Sequence, residues 1–231
     1  MKAWRVVLVV VVVLGGLFVA ADRVAVSVAQ KKAAEKAQAA EGLSSRPKVS
    51  IKGFPFLTQV ASSELDHVAI SADGVSVSSA GSTVQARDFH ADLYDVKLSR
   101  DFDSAVAARA TGGAVITYAE LTQAAPKGVT VTAPGTSATD EVRLTLTFMG
   151  AHVSVLSRIS VQDPATDTVR LRMEDVPKEI SGLGLEDELR SYVDFSPQLA
   201  HLPEGLHLQS VTTGTDGAAV RFTGTGVRLV G

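Results

Sequence analysis

The sequence predicts a mainly β protein with a few helices, an α+β chain whose long antiparallel strands follow an N-terminal apolar helix and a helical stalk. Three observations predict it. Val6 to Ala21 contains only apolar residues and Gly. Residues 24–42 read VAVSVAQKKAAEKAQAAEG, rich in the helix formers Ala, Lys, Gln and Glu. Beyond Pro47, Val, Thr and Ser take over, and apolar residues alternate with polar ones. A period of two is the mark of a strand with one buried face and one wet one. The boundaries that follow are 1–23 for an anchor or signal segment, 24–46 for the stalk and 47–231 for one strand-rich domain.

The apolar run is slightly shorter than the ~20 helical residues that span a bilayer. Trp4 suits the interface, and Val24, Ala25 and Val26 extend the apolar surface past Asp22 and Arg23. Lys2 and Arg5 precede the run, so the positive-inside rule leaves the N-terminus in the cytoplasm and the rest outside. Two readings stay open. Val19 and Ala21 offer a small-residue cleavage site before Asp22, as in a signal peptide. The run is longer than a usual signal core, however, and helix-favouring sequence follows it without a turn, which favours an uncleaved anchor. The expected location is the cell membrane, single-pass with the domain on the extracytoplasmic side, or exported if the leader is removed.

Composition narrows the function. The formal net charge is -3, without the basic field that nucleic-acid binding needs. Cysteine is absent, so an exported domain of this length must stand on its own core.

In the stalk, Val24, Val28, Ala29, Ala33 and Ala37 give a weak apolar stripe, Glu35 pairs with Lys31 and Lys32, and Gly42 is a natural stop. The stripe is mostly alanine, which suits a solvated stalk; a helix folded back on the domain or lying on a membrane is the other reading. Strands are then expected around Val49 and Ile51, from Val68 to Ala72, and from Val75 to Ser79 after an Asp73-Gly74 turn. Further strands are expected at Phe89 to Leu93, Val142 to Phe148, Val153 to Ile159 and Val169 to Met173. Asp216-Gly217 separates Leu208 to Val211 from Val220 to Phe222, and Val227 and Leu229 close the chain. Helices are expected at Tyr118 to Ala124, ended by Pro126, and at Leu185 to Val193, with a helical turn at Pro55 to Val60.

Little in the chain suggests catalysis. Asp88, His90 and Asp92 share a strand face and could hold a metal or work as an acid–base set. Phe89, Ala91 and Leu93 define the core side, which sends the three to solvent. His67, His152, His201 and His207 lack HExxH spacing, no serine sits in a GxSxG elbow, and neither Gly112-Gly113 nor Gly182-Leu183-Gly184 has a phosphate loop's lysine. The expectation is a non-enzyme with no cofactor and no metal. Gly53-Phe54-Pro55-Phe56-Leu57 is unusual, with large apolar residues flanking a proline at a strand end. It reads as a plug over the core, the rim of an apolar cavity, or a lip touching a membrane.

That segment also carries a resemblance. VSIKGFPFLTQVASSELDHVAIS, from Val49 to Ser71, resembles the opening of the actinobacterial LmeA-like phospholipid-binding family, whose members carry a membrane segment, this signature and a strand-rich domain. Leu202-Pro203-Glu204-Gly205-Leu206, followed by a strand, an Asp-Gly turn and a Gly-rich terminal strand, is similar to the family's ending. The resemblance implies a long curved sheet or half-barrel with an apolar groove for acyl chains. It implies a phospholipid partner, phosphatidylinositol-type lipids among the candidates, in envelope lipid or lipoglycan metabolism. It places Phe54, Pro55, Phe56 and Leu57 at the groove or its mouth. Arg46, Lys48 and Lys52, just ahead of the signature, are candidate headgroup contacts. Whether lipid is held or transferred stays open. The alternative is a non-catalytic adaptor docking a protein of envelope synthesis.

Overall fold

A computed structural model describes residues 2–40, 43, 45–79, 82–163, 166–178, 180–196 and 202–230. Gly42 and His201 lie outside the described residues. Among the described residues the chain is mostly β with four helices, in two curved antiparallel sheets that do not close.

One uninterrupted helix, α1 (Lys2–Ala40), carries both the apolar run and the stalk. Its first part is exposed, but from Asp22 onward it packs on the domain with Val26 and Ala34 buried. Ala25 and Ala29 are partly buried beside them. The buried stripe is therefore not the expected one: Val24 is 65% exposed and Val28 48%. The phase is set by Asp22, whose side chain is wholly buried against α2 (Phe56–Ala61) and turns the helix so that Val26, four residues on, faces inward.

The larger sheet has the order β1 (Lys48–Lys52), β2 (Glu64–Ala72), β4 (Ser82–Leu98), β5 (Ser104–Thr117), β11 (Gly217–Val230), β10 (Leu206–Thr213), with β3 (Val75–Ser79) also paired to β4. Asp73-Gly74 does not reverse the chain. Both β2 and β3 run antiparallel to the same long β4, so Asp73-Gly74 is a step between them, facing the register shift at Arg87 to His90. The Gly74 and Asp88 backbones, at φ 69° and 50°, absorb that step. Asp216-Gly217, in contrast, does lie in a reversal, with Thr213 paired to Ala218.

β4 curves through two left-handed residues, Asp88 at φ 50° and Asp95 at φ 51°. Each moves the buried position by three residues instead of two, from Ala86 to Phe89 and from Leu93 to Val96. The second step crosses the sheet: Leu65 and Val68 on β2, and Ala107 and Ala110 on β5, are buried at the same spacing and pair with Val96 and Leu93. On β11 the matching step is Gly226, at φ 61°. A row of bulge-like residues thus keeps one face apolar while bending the sheet.

The smaller sheet is β6 (Thr130–Thr132), β7 (Glu141–Phe148), β8 (Ala151–Asp163) and β9 (Thr168–Met173), a meander whose β7–β8 turn is Met149-Gly150. α3 (Tyr118–Ala124) and α4 (Glu186–Val193) flank it, as their spacing predicts. Thr117 caps α3 by accepting from the Glu120 N–H at 3.3 Å.

Candidate functional site

The inner face of the large sheet has two covers. α1 and α2 bury one half, packing Val26 and Phe56 against Leu65, Val68, Leu93 and Ala110. The small sheet, α3 and α4 bury the other half, packing Leu144, Val155 and Leu189 against Ala86, Ile116 and Val220. Between the covers lies a row of four residues in register across four strands: Ile70, Ala91, Gly112 and Phe222. All four are only partly buried, while Val68, Leu93 and Ala110 on one side and Ala72, Ala114 and Val220 on the other are buried. The row is a shallow apolar furrow. Its floor is low because Ala91 offers one methyl and Gly112 none. A Cβ at Gly112 would stand 2.6 Å from the His90 carbonyl oxygen, so the position admits only Gly.

On the small-sheet side of this furrow is an interior cavity of about 80 Å³. Its lining is wholly apolar, with Val84, Ile116, Ala218 and Val220 from the large sheet, Val142 and Leu171 from the small one, and Leu121 and Ala124 from α3. Ligand pockets commonly hold ~300–1,000 Å³. The cavity falls well below that range. A whole acyl chain enters only if α3 or the small sheet moves outward.

α3 packs Tyr118, Leu121 and Ala124 against the core without fully burying any residue, and polar ties hold it as well. The Thr122 hydroxyl accepts from the Val131 N–H at 2.9 Å, and the Glu120 carboxylate accepts from the Gln85 N–H at 2.8 Å. The Tyr118 hydroxyl donates to the Gly214 carbonyl at 2.6 Å. Burial, and then the Asp216 carboxylate, push this phenol above its ordinary value.

The outer face is polar. An open trough of about 450 Å³ is lined by Asp88, His90, Asp92, Gln209 and Arg221 among others, so the three strand-mates singled out above do stand away from the core. Asp92 is already engaged by His67 Nε2 at 2.7 Å, and His67 stacks on Tyr94 at 4.6 Å between centroids. Among the described residues, no group of three His, Asp or Glu could hold a metal ion.

The signature residues lie under the other cover. Phe56 is 6% exposed, packed with Val26 and Leu65, while Phe54 is 58% exposed beyond a cis Phe54-Pro55 bond. The Leu57 N–H donates to Asp22 Oδ1 at 2.8 Å. Lys48 and Lys52 are exposed on the edge strand β1, and Arg46 pairs with Glu35 at 3.3 Å. None of these seven lines the interior cavity. The strands that carry most of the cavity wall stand in the sequence, but the furrow floor at Gly112 and the cavity residue Ile116 went unread because β5, SAVAARATGGAVIT, contributes small residues rather than the Val and Ile runs that announce a strand. The usable hint was Gly112-Gly113 amid alanines, which marks close backbone approach.

The chain matches the family described as LmeA-like phospholipid-binding over residues 20–225. No curated protein and no solved structure matches it significantly.

Proposed function

The chain belongs to the LmeA-like phospholipid-binding family, and on that premise we propose that it holds or transfers phospholipid acyl chains, without catalysis, from a membrane-anchored position outside the cytoplasm. The observation that carries this reading is the half-exposed apolar furrow Ile70–Ala91–Gly112–Phe222 beside a cavity with no polar wall residue. Burying an acyl chain there yields ~0.8 kcal/mol per CH₂, about 10 kcal/mol for a dozen methylenes, and this gain drives the opening of α3. The signature residues Phe54, Pro55, Phe56 and Leu57 serve as groove-mouth positions, and Arg46, Lys48 and Lys52 as headgroup contacts; the exposure of Phe54, Lys48 and Lys52 supports this. Phosphatidylinositol-type lipids are the first candidates.

Native mass spectrometry of the full chain, incubated in detergent with an envelope lipid extract, tests the proposal. We expect an adduct of phospholipid mass, lost when Ala91→Phe fills the furrow in a folded protein. A chain that stays empty against every lipid would overturn lipid binding. That result would favour the adaptor reading, which the small volume of the cavity supports.

A further inference from the structure

α1 is a single rod from Lys2 to Ala40, so the geometry of its packed half fixes that of its exposed half. The sixteen residues Val6 to Ala21 make ~24 Å of helix, about 6 Å short of the ~30 Å hydrocarbon core. About four more residues must be drawn in, which brings Asp22, Arg23 and Val24 to the boundary between acyl chains and headgroups. At this level the domain is bolted to the rod. Asp22 is 0% exposed; its Oδ1 accepts from the Leu57 N–H at 2.8 Å, and the Arg23 guanidinium bonds its Oδ2. Arg23 in turn lies 5.1 Å over the ring of Phe54. Phe54 is a large apolar side chain left 58% exposed at the corner, and Val24, next to Arg23 on the rod, is 65% exposed. Lys52 is exposed one residue before the corner, a cation available to anionic headgroups.

We propose that the corner Gly53–Leu57 is a lip by which the domain touches the bilayer surface, with Phe54 set at the acyl–headgroup boundary and Asp22 locking it at that depth. The backbone chemistry fits. A loop at the edge of the hydrocarbon needs its N–H groups satisfied internally, and Asp22 supplies an acceptor where water is scarce. The carboxylate is itself neutralised by Arg23 and the N–H it binds, as a charge at membrane depth requires. The inference rests on the membrane-anchored reading and is independent of whether the furrow carries lipid.

The chain has no cysteine, so single cysteines can be labelled without background. Phe54→Cys and Phe102→Cys are each given a nitroxide in the full chain, reconstituted in vesicles of phosphatidylcholine and phosphatidylglycerol. Phe102 is 54% exposed in the β4–β5 turn, beside Asp103, which binds Lys36 at 2.9 Å. Lys36 is fourteen residues past Asp22, so this turn stands ~21 Å further along the rod. We expect the label at 54 to relax with oxygen, which concentrates in lipid, and the label at 102 with a nickel chelate, which stays in water. Asp22→Asn, which keeps an acceptor, should hold the label at 54 in place; Asp22→Ala should shift it toward the chelate with circular dichroism unchanged. A chain that does not float with vesicles overturns the anchored reading and this inference with it. A chain that floats with the label at 54 in water overturns the lip alone. A label that stays in lipid in a folded Asp22→Ala protein overturns the lock.

Discussion

Tyr118 shows how a single group ties the wall of the cavity to the rest of the molecule. Its hydroxyl reaches the Gly214 carbonyl in the β10–β11 turn, ninety-six residues away in sequence. Only the protonated phenol can donate this bond. Burial first, and the Asp216 carboxylate second, raise its pKa above the ordinary value of 10.0. A group whose folded pKa is raised stabilises fully below the unfolded pKa, and that stabilisation is lost as pH rises through the folded one. Urea midpoints of the native protein should therefore fall above about pH 10. Tyr118→Phe should cost about 1 kcal/mol at neutral pH, the worth of one hydrogen bond. It should also flatten the alkaline decline relative to wild type. An unchanged decline in the variant would show that other groups govern it.

Among the elements, β4 explains both the curvature of the sheet and the limits of what its sequence discloses. Its two aspartates at positive φ are the places where a period of two gives way to three. Asp tolerates the left-handed region better than a β-branched residue does. Asp95→Val should cost about 1–2 kcal/mol, whereas Lys97→Val, at an exposed position of the same strand, should cost much less. Asp95→Gly should stay near wild type, relief of left-handed strain offsetting the extra freedom of an unfolded glycine. Chemical denaturation of the three variants checks this, and equal losses for both valines would refute the role given to Asp95. The same physics decided what could be read. Strands with unbroken alternation, such as Val142 to Phe148, stand in the sequence as they do in the fold, and α3 and α4 follow their spacing. β5 hides because Ala and Gly carry no strand signature, although it is one of the two middle strands in the order of the large sheet. Asp73-Gly74 misleads because the same dipeptide suits a reversal and a step. The buried stripe of α1 is rotated from its most apolar side because the Asp22 contact with α2, between residues thirty-five apart, outweighs two valines.

For the whole molecule, the decisive quantity is the mismatch between an interior cavity of about 80 Å³ and the several-fold larger volume of an acyl chain. Ala218 lines this cavity and is almost fully buried, so a larger side chain there occupies the space a lipid would first enter. At ~24 cal/mol per Å³ of void, complete filling recovers up to about 2 kcal/mol. Overpacking strain opposes this, at about 1–3 kcal/mol when the fit is poor. Ala218→Leu should therefore leave the empty protein within about 2 kcal/mol of wild-type stability. Its effect on the loaded protein is of another kind. A ligand that binds only the folded state stabilises by RT ln(1 + [L]/Kd), about 2.7 kcal/mol at a hundredfold excess over Kd. Wild type should gain that increment with phospholipid and Ala218→Leu should not, although the two start nearly level. Hydrogen exchange locates the event: lipid should alter protection in α3 and β6, whose Thr122–Val131 tie must give way, and leave α1 unchanged. If Ala218→Leu gains as much from lipid as wild type does, the acyl chain lies in the furrow alone and the cavity is ordinary core.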